Sequence, residues 1–400
     1  MNATAPRQFA AMTWLLIVLL AAALAGCAAP PQAAGTDPLP FDQAVVAATD
    51  SLAAQTQNLP AFIAKLDKRA LVIDPMIDSG SGQQTAVTRQ LQDKVAARLT
   101  SNYPQLPVLP FQLSNLNRSQ YVLTGTMTRL QDRGATARAP FRIDLALTEI
   151  KTGMVVAQAA ATTRDDALDT TPSPYYRDSP VLVKDKVVDG YIRTSQTAPG
   201  QPAAKDYFER LDTATTINEA TLAYNNDKYQ ESLELYKAAL ASPSGEQLRT
   251  LNGVYLASWK LGRMQEAEQA FGKVVALGIA NSSLGVKFLF NPGTTDFWSD
   301  PKVSGPYPIW MRQIAKQTAQ AKVCMNIVGH TSHTGSDTYN DRLSTQRSAA
   351  IRQKLGAEAG ELMTRTKTSG VGFRENIIGT GTDDASDSLD RRVEFKIVGC

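Results

Sequence analysis

Several kinds of residue are scarce in this chain, and each scarcity narrows what it can do. Charge is nearly balanced, with 41 Lys and Arg against 38 Asp and Glu and a formal net charge of +3. That is too little to hold a polyanion, so nucleic acid is not expected as a partner. Histidine is rarer still: His330 and His333 are the only two. They form an H-x-x-H pair beside serine and aspartate, but no third ligand is evident, so no metal is expected. Ser332 and His333 are adjacent, and adjacent side chains rarely point at one another. No ordered acid completes a triad, which argues against a hydrolase. Gly80-Ser81-Gly82 lacks the lysine and spacing of a phosphate-binding loop and reads as an ordinary flexible loop. Nothing here supports an enzyme or a cofactor.

What remains is ordinary for globular protein: 43% hydrophobic and 20% charged residues over 400 positions, enough for two or three domains. The N-terminus is not ordinary. Arg7 is the only charged side chain before an apolar run from Phe9 to Ala25. A positive start, an apolar stretch and a small-residue end describe a secretory leader. The run approaches membrane-spanning length, but it leads into Leu24-Ala25-Gly26-Cys27, which resembles the bacterial lipobox. That resemblance implies cleavage before Cys27 and acylation of its thiol, a lasting anchor when several chains insert. Ala28 stands where an aspartate commonly signals inner-membrane retention, so the expected location is the outer membrane, lipid-anchored and facing the periplasm. Of three cysteines, Cys27 is then assigned to lipid. Cys324 and Cys400 are left as a disulfide candidate in an oxidising compartment.

Composition divides the rest. Residues 27–40 are rich in Ala and Pro and read as a flexible tether behind a leader at 1–26. A similar stretch at 194–206 reads as a linker, and Gly278 to Gly285 as a short third break. The expected modules are therefore 41–193, 207–277 and 286–400. In the first, Ala70 to Ile73 is a short strand. Val87, Leu91, Val95 and Leu99 recur every four residues and predict a helix. Phe141, Ile143, Leu145 and Leu147 alternate with Arg142, Asp144 and Ala146, a half-buried strand, and Lys151-Thr152-Gly153 turns the chain back. Tyr121 to Leu130 together with Ile143 to Gln158 looks like the periplasmic fold of CsgG-, FlgO- and LpoB-type lipoproteins. No site residue is carried over from it.

The second module repeats itself. Asp227 to Ser232 with Tyr236 and Ala239 is echoed by Gly262 to Ala267 with Phe271 and Val274. The shift is one residue longer than the usual tetratricopeptide period, and the copies resemble TPR hairpins. TPR surfaces commonly bind peptides or proteins, so the resemblance implies a protein partner, with a plain helical spacer as the alternative. Two copies are too few to stand alone, so the module is expected to lean on a neighbour.

The third module carries the most specific pattern. Val286 to Phe290 reads as a strand ending at Asn291-Pro292-Gly293, followed by a helix near Ile309 to Gln320. Val323, Met325 and Ile327 alternate on a strand that runs into Gly329-His330-Thr331-Ser332-His333-Thr334-Gly335. A helix is predicted from about Asp337 to Leu355-Gly356, and Val393, Phe395 and Ile397 alternate on a last strand. GHTSHTGSDTYNDRLSTQRSAAI followed by DRRVEFKI resembles the OmpA C-terminal domain, which binds peptidoglycan non-covalently. The overall expectation is a multidomain α+β protein. It combines an N-terminal α/β layer domain, central TPR-like α-hairpins and a C-terminal OmpA-like β-α-β-α-β-β sandwich.

That resemblance implies a partner, the diaminopimelate-containing stem peptide, and a site. The side-chain end of diaminopimelate bears an ammonium and a carboxylate. A planar guanidinium suits the carboxylate because it makes two parallel hydrogen bonds. In the family an aspartate directly after GHT and an arginine fifteen residues later fill the two roles. Here the arginine is Arg347, but Ser332 replaces the aspartate. Thr331 adjoins it. Asn340 lies two helical turns before Arg347 on the same face, and Arg391, at the start of the last strand, joins the expected set. Asp337 and Asp341 are the nearby carboxylates, with helix-capping and first-turn roles as alternatives. If the last strand runs antiparallel to the one at 323–327, the sulfurs of Cys324 and Cys400 meet.

Overall fold

The computed structural model describes residues 37–56, 69–130, 139–282, 284–291, 293–378 and 390–400. The leader, Cys27 and most of the 27–40 stretch lie outside the described residues. Among those described, no helix is long and apolar enough to cross a membrane.

The N-terminal part is built on strands β1 (Leu71–Ile73), β2 (Ile77–Asp78), β3 (Val108–Leu109), β4 (Tyr121–Arg129), β5 (Phe141–Glu149) and β6 (Val155–Thr163). Their order is β3-β1-β4-β5-β6, with β2 also on β4. β1 is parallel to β3 and β4, while β4, β5 and β6 form an antiparallel meander. Alternation sends Leu71 and Ile73 to one face and Val72 to the other, and both faces are covered. Helices α1 (Phe41–Gln55) and α2 (Ala86–Asn102) pack on the first face, with Ala44, Val45, Ala48 and Leu52 along one stripe of α1. Short α3 (Leu113–Leu116) and α4 (Pro174–Asp178) precede α5 (Lys186–Ser195), which brings Val188 and Tyr191 to the second face. Asp144 is therefore fully buried, not on a solvent face, with Arg142 Nη2 at 2.8 Å. Burial raises its carboxyl against the pull of Arg142.

Two loops are more ordered than their composition implies. The Ser81 amide and hydroxyl both donate to Asp78 Oδ1 at 2.7 Å, so the glycine-flanked loop is pinned. The 194–206 stretch is not a free linker: the Gly200 amide donates to the Val155 carbonyl and the Val155 amide to the Gln201 carbonyl, edging the chain along β6. Short α6 (Lys205–Phe208) follows.

Two antiparallel helix pairs come next: α7 (Leu211–Asn225) with α8 (Tyr229–Ala241), and α9 (Leu248–Lys260) with α10 (Met264–Ala280). The turns correspond, since Asp227 and Gly262 both take a positive φ, 60° and 73°. Ser232 and Ala267 are fully buried at the crossings, and Tyr236 and Phe271 are buried four residues on. Tyr236 stacks on Tyr175, and Phe271 stacks on Trp310 from the C-terminal part. The pairs lean on both flanks. Gly278 lies inside α10 and is no break.

The C-terminal part contains β7 (Leu284–Val286), α11 (Pro301–Ser304), α12 (Tyr307–Ala321), β8 (Cys324–Gly329), α13 (Asp337–Glu358), α14 (Leu362–Arg365), β9 (Thr366–Gly370) and β10 (Val393–Val398). Its sheet runs β7-β10-β8-β9, with β10 antiparallel to β7 and β8, and β9 parallel to β8. The strand expected to reach Phe290 ends at Val286, where the chain turns to neighbours at 180–181. α13 continues through Gly356 to Glu358, and a Cβ at 356 would collide with Met363. Pro38–Cys400 forms one compact unit: the helix pairs share a core with the C-terminal part and with Tyr175, Tyr176, Val181 and Val183, while α1, α2 and the first sheet keep a core of their own.

Cys324 and Cys400 form a disulfide with Cα atoms 5.2 Å apart. The register explains it: Val398 pairs with Cys324, two residues before the chain reaches Cys400. Cys400→Ser should lower stability by roughly 2–4 kcal/mol, read as a drop in denaturation midpoint that reductant produces in the wild type and not in the variant. A second expectation concerns pH. Asp74, buried after β1, accepts a 2.7 Å hydrogen bond from Tyr207, and desolvation raises its pKa from 3.8 to about 6 despite Arg249 and that bond. Because the folded state holds this proton more tightly, its contribution is full below pH ~4 and is lost as pH rises through about 6. Asp74→Asn should therefore gain roughly 2 kcal/mol relative to wild type between pH 4 and pH 7. Parallel melts at the two pH values that differ by the same amount would rule this out.

Candidate functional site

The GHTS loop leaves the end of β8 and is tied down on both sides. The His330 amide donates to the Arg392 carbonyl, and the Thr331 amide to the Gly372 carbonyl, each at 3.0 Å. Thr331 and Ser332 are buried, and the Ser332 hydroxyl lies 3.4 Å from that of Thr334. Ser336 caps α13 by accepting from the Tyr339 amide, so Asp337 is the first-turn acid and not the cap. Asn340 reaches back along the helix. Its side-chain nitrogen donates to the carbonyls of Thr334 at 2.7 Å and Ser336 at 3.1 Å. Asn340 thus clamps the loop with the donors that the sequence assigned to a ligand.

Arg347 lies two turns on, on the same buried face of α13. Its Nε donates to the Thr294 carbonyl at 3.2 Å and Nη2 to the Asn291 carbonyl at 3.4 Å. The guanidinium carbon sits 4.9 Å from the centre of the Phe290 ring. The sequence marks Phe290 and Asn291 only as a strand end and gives Thr294 no role, so their part in orienting Arg347 was missed. The Asn-Pro-Gly turn was the available signal. Arg391 is elsewhere: it lines a cavity with Lys287 and Trp310, to which Thr331, Ser332, Asn340 and Arg347 do not contribute.

Of the carboxylates considered in place of the missing aspartate, Asp341 accepts from Arg374 at 2.6 Å and Asp337 stays exposed. A third, Asp390, is fully buried and accepts the amides of Ile377 and Ile378 at 2.7 and 3.0 Å. It is the first residue of DRRVEFKI, a pattern that carries no sign of this backbone-capping role.

The two histidines take different partners. His333 sets its ring edge-on to Phe373 at 4.1 Å. His330, buried, has Nε2 3.6 Å from Glu394 Oε2, longer than a hydrogen bond, and burial lowers its pKa more than Glu394 raises it. With Glu394, Glu375 completes a set of three donor atoms within 4.8 Å of one another, a third ligand-type residue that the sequence did not reveal. Cations already answer those carboxylates. Arg392 grips Glu394 Oε1 through Nε and Nη2 at 2.8 and 2.6 Å, and Lys396 lies 3.2 Å from Glu375 and 3.5 Å from Glu394. Burial alone would raise the Glu394 carboxyl; His330 and Arg392 outweigh it and hold it well below the usual carboxylate range. This is an ion-pair network under the GHTS loop.

No protein-family model matches the chain. Among curated proteins, 97 residues are 35% identical to the protein CTR9 homolog of Arabidopsis thaliana, over 19% of this chain and 9% of that protein. The chain thus spans about a tenth of that relative's length. Similar solved structures include the peptidoglycan-associated lipoprotein from Burkholderia pseudomallei, at 22% identity over 28% of this chain and 89% of that one, with a TM-score of 0.24. The cell wall anchor of the T6SS from Pseudomonas aeruginosa matches at 20% identity over 29% and 80%, TM-score 0.25. The LpoB C-terminal domain from Salmonella enterica matches at 14% identity over 30% and 98%, TM-score 0.20.

The network yields a prediction. Arg392 is 4% exposed and Glu394 22%, so Glu394→Gln removes a close counter-charge from a buried guanidinium. The loss should approach the low end of about 3–5 kcal/mol. Asp341→Asn, which breaks the exposed pair with Arg374, should cost no more than about 1 kcal/mol. Because the Glu394 pKa is depressed, the wild-type advantage should be full above pH ~4.5 and shrink as pH falls. Urea melts at pH 7 showing equal losses for the two variants would contradict this ranking.

Proposed function

We propose that the chain is a lipid-anchored envelope protein, acylated at Cys27 and facing the periplasm, that binds peptidoglycan non-covalently and ties the outer membrane to the wall. The observation that carries this reading is the arrangement on α13: a loop clamped by Asn340 and a buried Arg347 oriented by two backbone carbonyls, on one helix face. A pre-oriented guanidinium suits the carboxylate of a diaminopimelate side chain. The ammonium end would meet Thr331 and Ser332, which offer hydroxyl oxygens and no charge. Losing a charged partner there weakens binding by about tenfold or more. The reading involves no catalysis, cofactor or metal.

A second reading is favoured by the engagement of Asp341 with Arg374, which leaves that carboxylate committed to the surface pair. In it the C-terminal part has little or no wall affinity, and the chain acts as a scaffold whose helix pairs recruit a protein of an envelope assembly.

Sedimentation with purified sacculi separates the two. The full chain should co-sediment, Ser332→Asp should tighten binding by about tenfold, and Arg347→Lys should release most of the protein while melting normally. If neither wild type nor Ser332→Asp co-sediments, wall binding is excluded and the scaffold reading stands.

A further inference from the structure

A cavity of about 350 Å³ opens where the helix pairs meet the two flanking parts of the chain. Its lining shares no residue with the GHTS loop or with Asn340 and Arg347, and nothing in the proposed function uses it. Its size falls in the range of about 300–1,000 Å³ typical of small-ligand sites.

One wall is aromatic: Tyr255 and Trp259 from α9, Tyr307 and Trp310 from α12. Trp310 Nε1 donates to the Tyr255 hydroxyl at 2.8 Å, and the Tyr307 hydroxyl accepts from the Leu289 amide at 3.0 Å. These bonds occupy the indole N–H and orient the two hydroxyls, and the rings make up much of the lining. The charges are lopsided. Arg177, Lys260, Lys287, Lys302 and Arg391 border the cavity, against one acid, Asp178. Asp178 is already answered: Lys260 Nζ lies 2.9 Å away and Arg177 Nε 3.3 Å, and Tyr224 donates to it at 2.9 Å.

Lys287 is the unusual member. It is 8% exposed, and its ammonium donates to the carbonyls of Tyr176 at 3.3 Å and Arg177 at 3.0 Å. Among the described residues no carboxylate lies within ion-pair distance of it. A buried ammonium held by neutral carbonyls keeps its full charge and bears the desolvation cost. That cost shows as a pKa lowered to about 8, with Asp178 only partly opposing it. Outside, Lys302 is exposed on α11 and has no ion-pair partner among the described residues.

We infer that this cavity binds a small organic anion: a carboxylate carried on a flat apolar or aromatic body, its charge at Lys287 and Lys302 and its ring against Trp259 and Trp310. The aromatic wall supplies apolar burial and edge or face contacts. The buried ammonium supplies a charge-assisted bond in a site partly screened from water.

The test is calorimetric titration of the full chain with benzoate, phenylacetate and 1-naphthaleneacetate, each beside its neutral amide. At least one carboxylate should bind tenfold or more tighter than its amide. Lys287→Met keeps the side-chain volume without the charge, and should bring the ratio close to one. Should Lys287→Met fail to fold, the exposed Lys302→Ala decides, and should weaken the carboxylate several-fold while leaving the amide unchanged. Equal affinity for acid and amide, binding of neither across the panel, or a ratio untouched by the lysine substitutions each overturns the inference. Ser332→Asp should leave these affinities unchanged, so failure here and failure of wall binding are told apart.

Discussion

Tyr236 and Phe271 occupy the same position in two copies of one sequence repeat, yet they stack on opposite flanks. Tyr236 meets Tyr175 of the N-terminal part, and Phe271 meets Trp310 of the C-terminal part. Each helix pair has too little apolar surface of its own, so the repeat position that would face a further repeat in a longer array instead receives an aromatic from a neighbour. The result is one core from Tyr175 through Phe271 to Phe395. Much else follows from it. The 194–206 stretch must run along β6 to deliver α7, and Val286 must turn away from its strand to reach the chain at 180–181. Where three segments converge with large rings, packing leaves a gap, and that gap is the cavity beside Lys287.

Local periodicity was legible and tertiary cover was not. The four-residue spacing from Val87 to Leu99 became α2, and alternation from Val323 and from Val393 became β8 and β10. The disulfide followed from the same alternation once the strands were taken as antiparallel. Asp144 shows the limit. Alternation places it opposite Ile143 and Leu145, but only the later arrival of α5 decides that its face is dry. Likewise Pro and Ala at 194–206 describe local stiffness, while the bonds between Gly200, Gln201 and Val155 belong to the sheet edge. A glycine near a helix end normally stops it; Gly356 instead admits Met363, a contact no local pattern records.

In the site, residue types were legible and directions were not. Asn340 and Arg347 share the expected face, but Asn340 turns its donors to its own loop. Of the adjacent Arg391 and Arg392, the sequence put Arg391 in the site. Consecutive residues of an extended chain point to opposite sides, and β10 begins at the next position. Arg392 therefore meets Glu394 beneath the GHTS loop, and Arg391 faces the cavity instead of Arg347.

The contrast between Arg392 and Lys287 says what each charge is for. Arg392 is buried beside a carboxylate whose pKa is pulled down in return, so the pair is close to neutral and serves the fold. Such a pair gives little net stability over apolar residues of the same volume, but it fixes where β10 meets the loop. Lys287 is also buried, yet its hydrogen bonds go to carbonyls, and the one acid lining the cavity is claimed by Lys260 and Arg177. Carbonyl dipoles orient an ammonium without cancelling it. For the fold alone, an apolar side chain at 287 would be the cheaper solution. A cation kept unneutralised at the back of an aromatic cavity is instead what recognition of an anion requires, because the desolvation cost has been met before the ligand arrives.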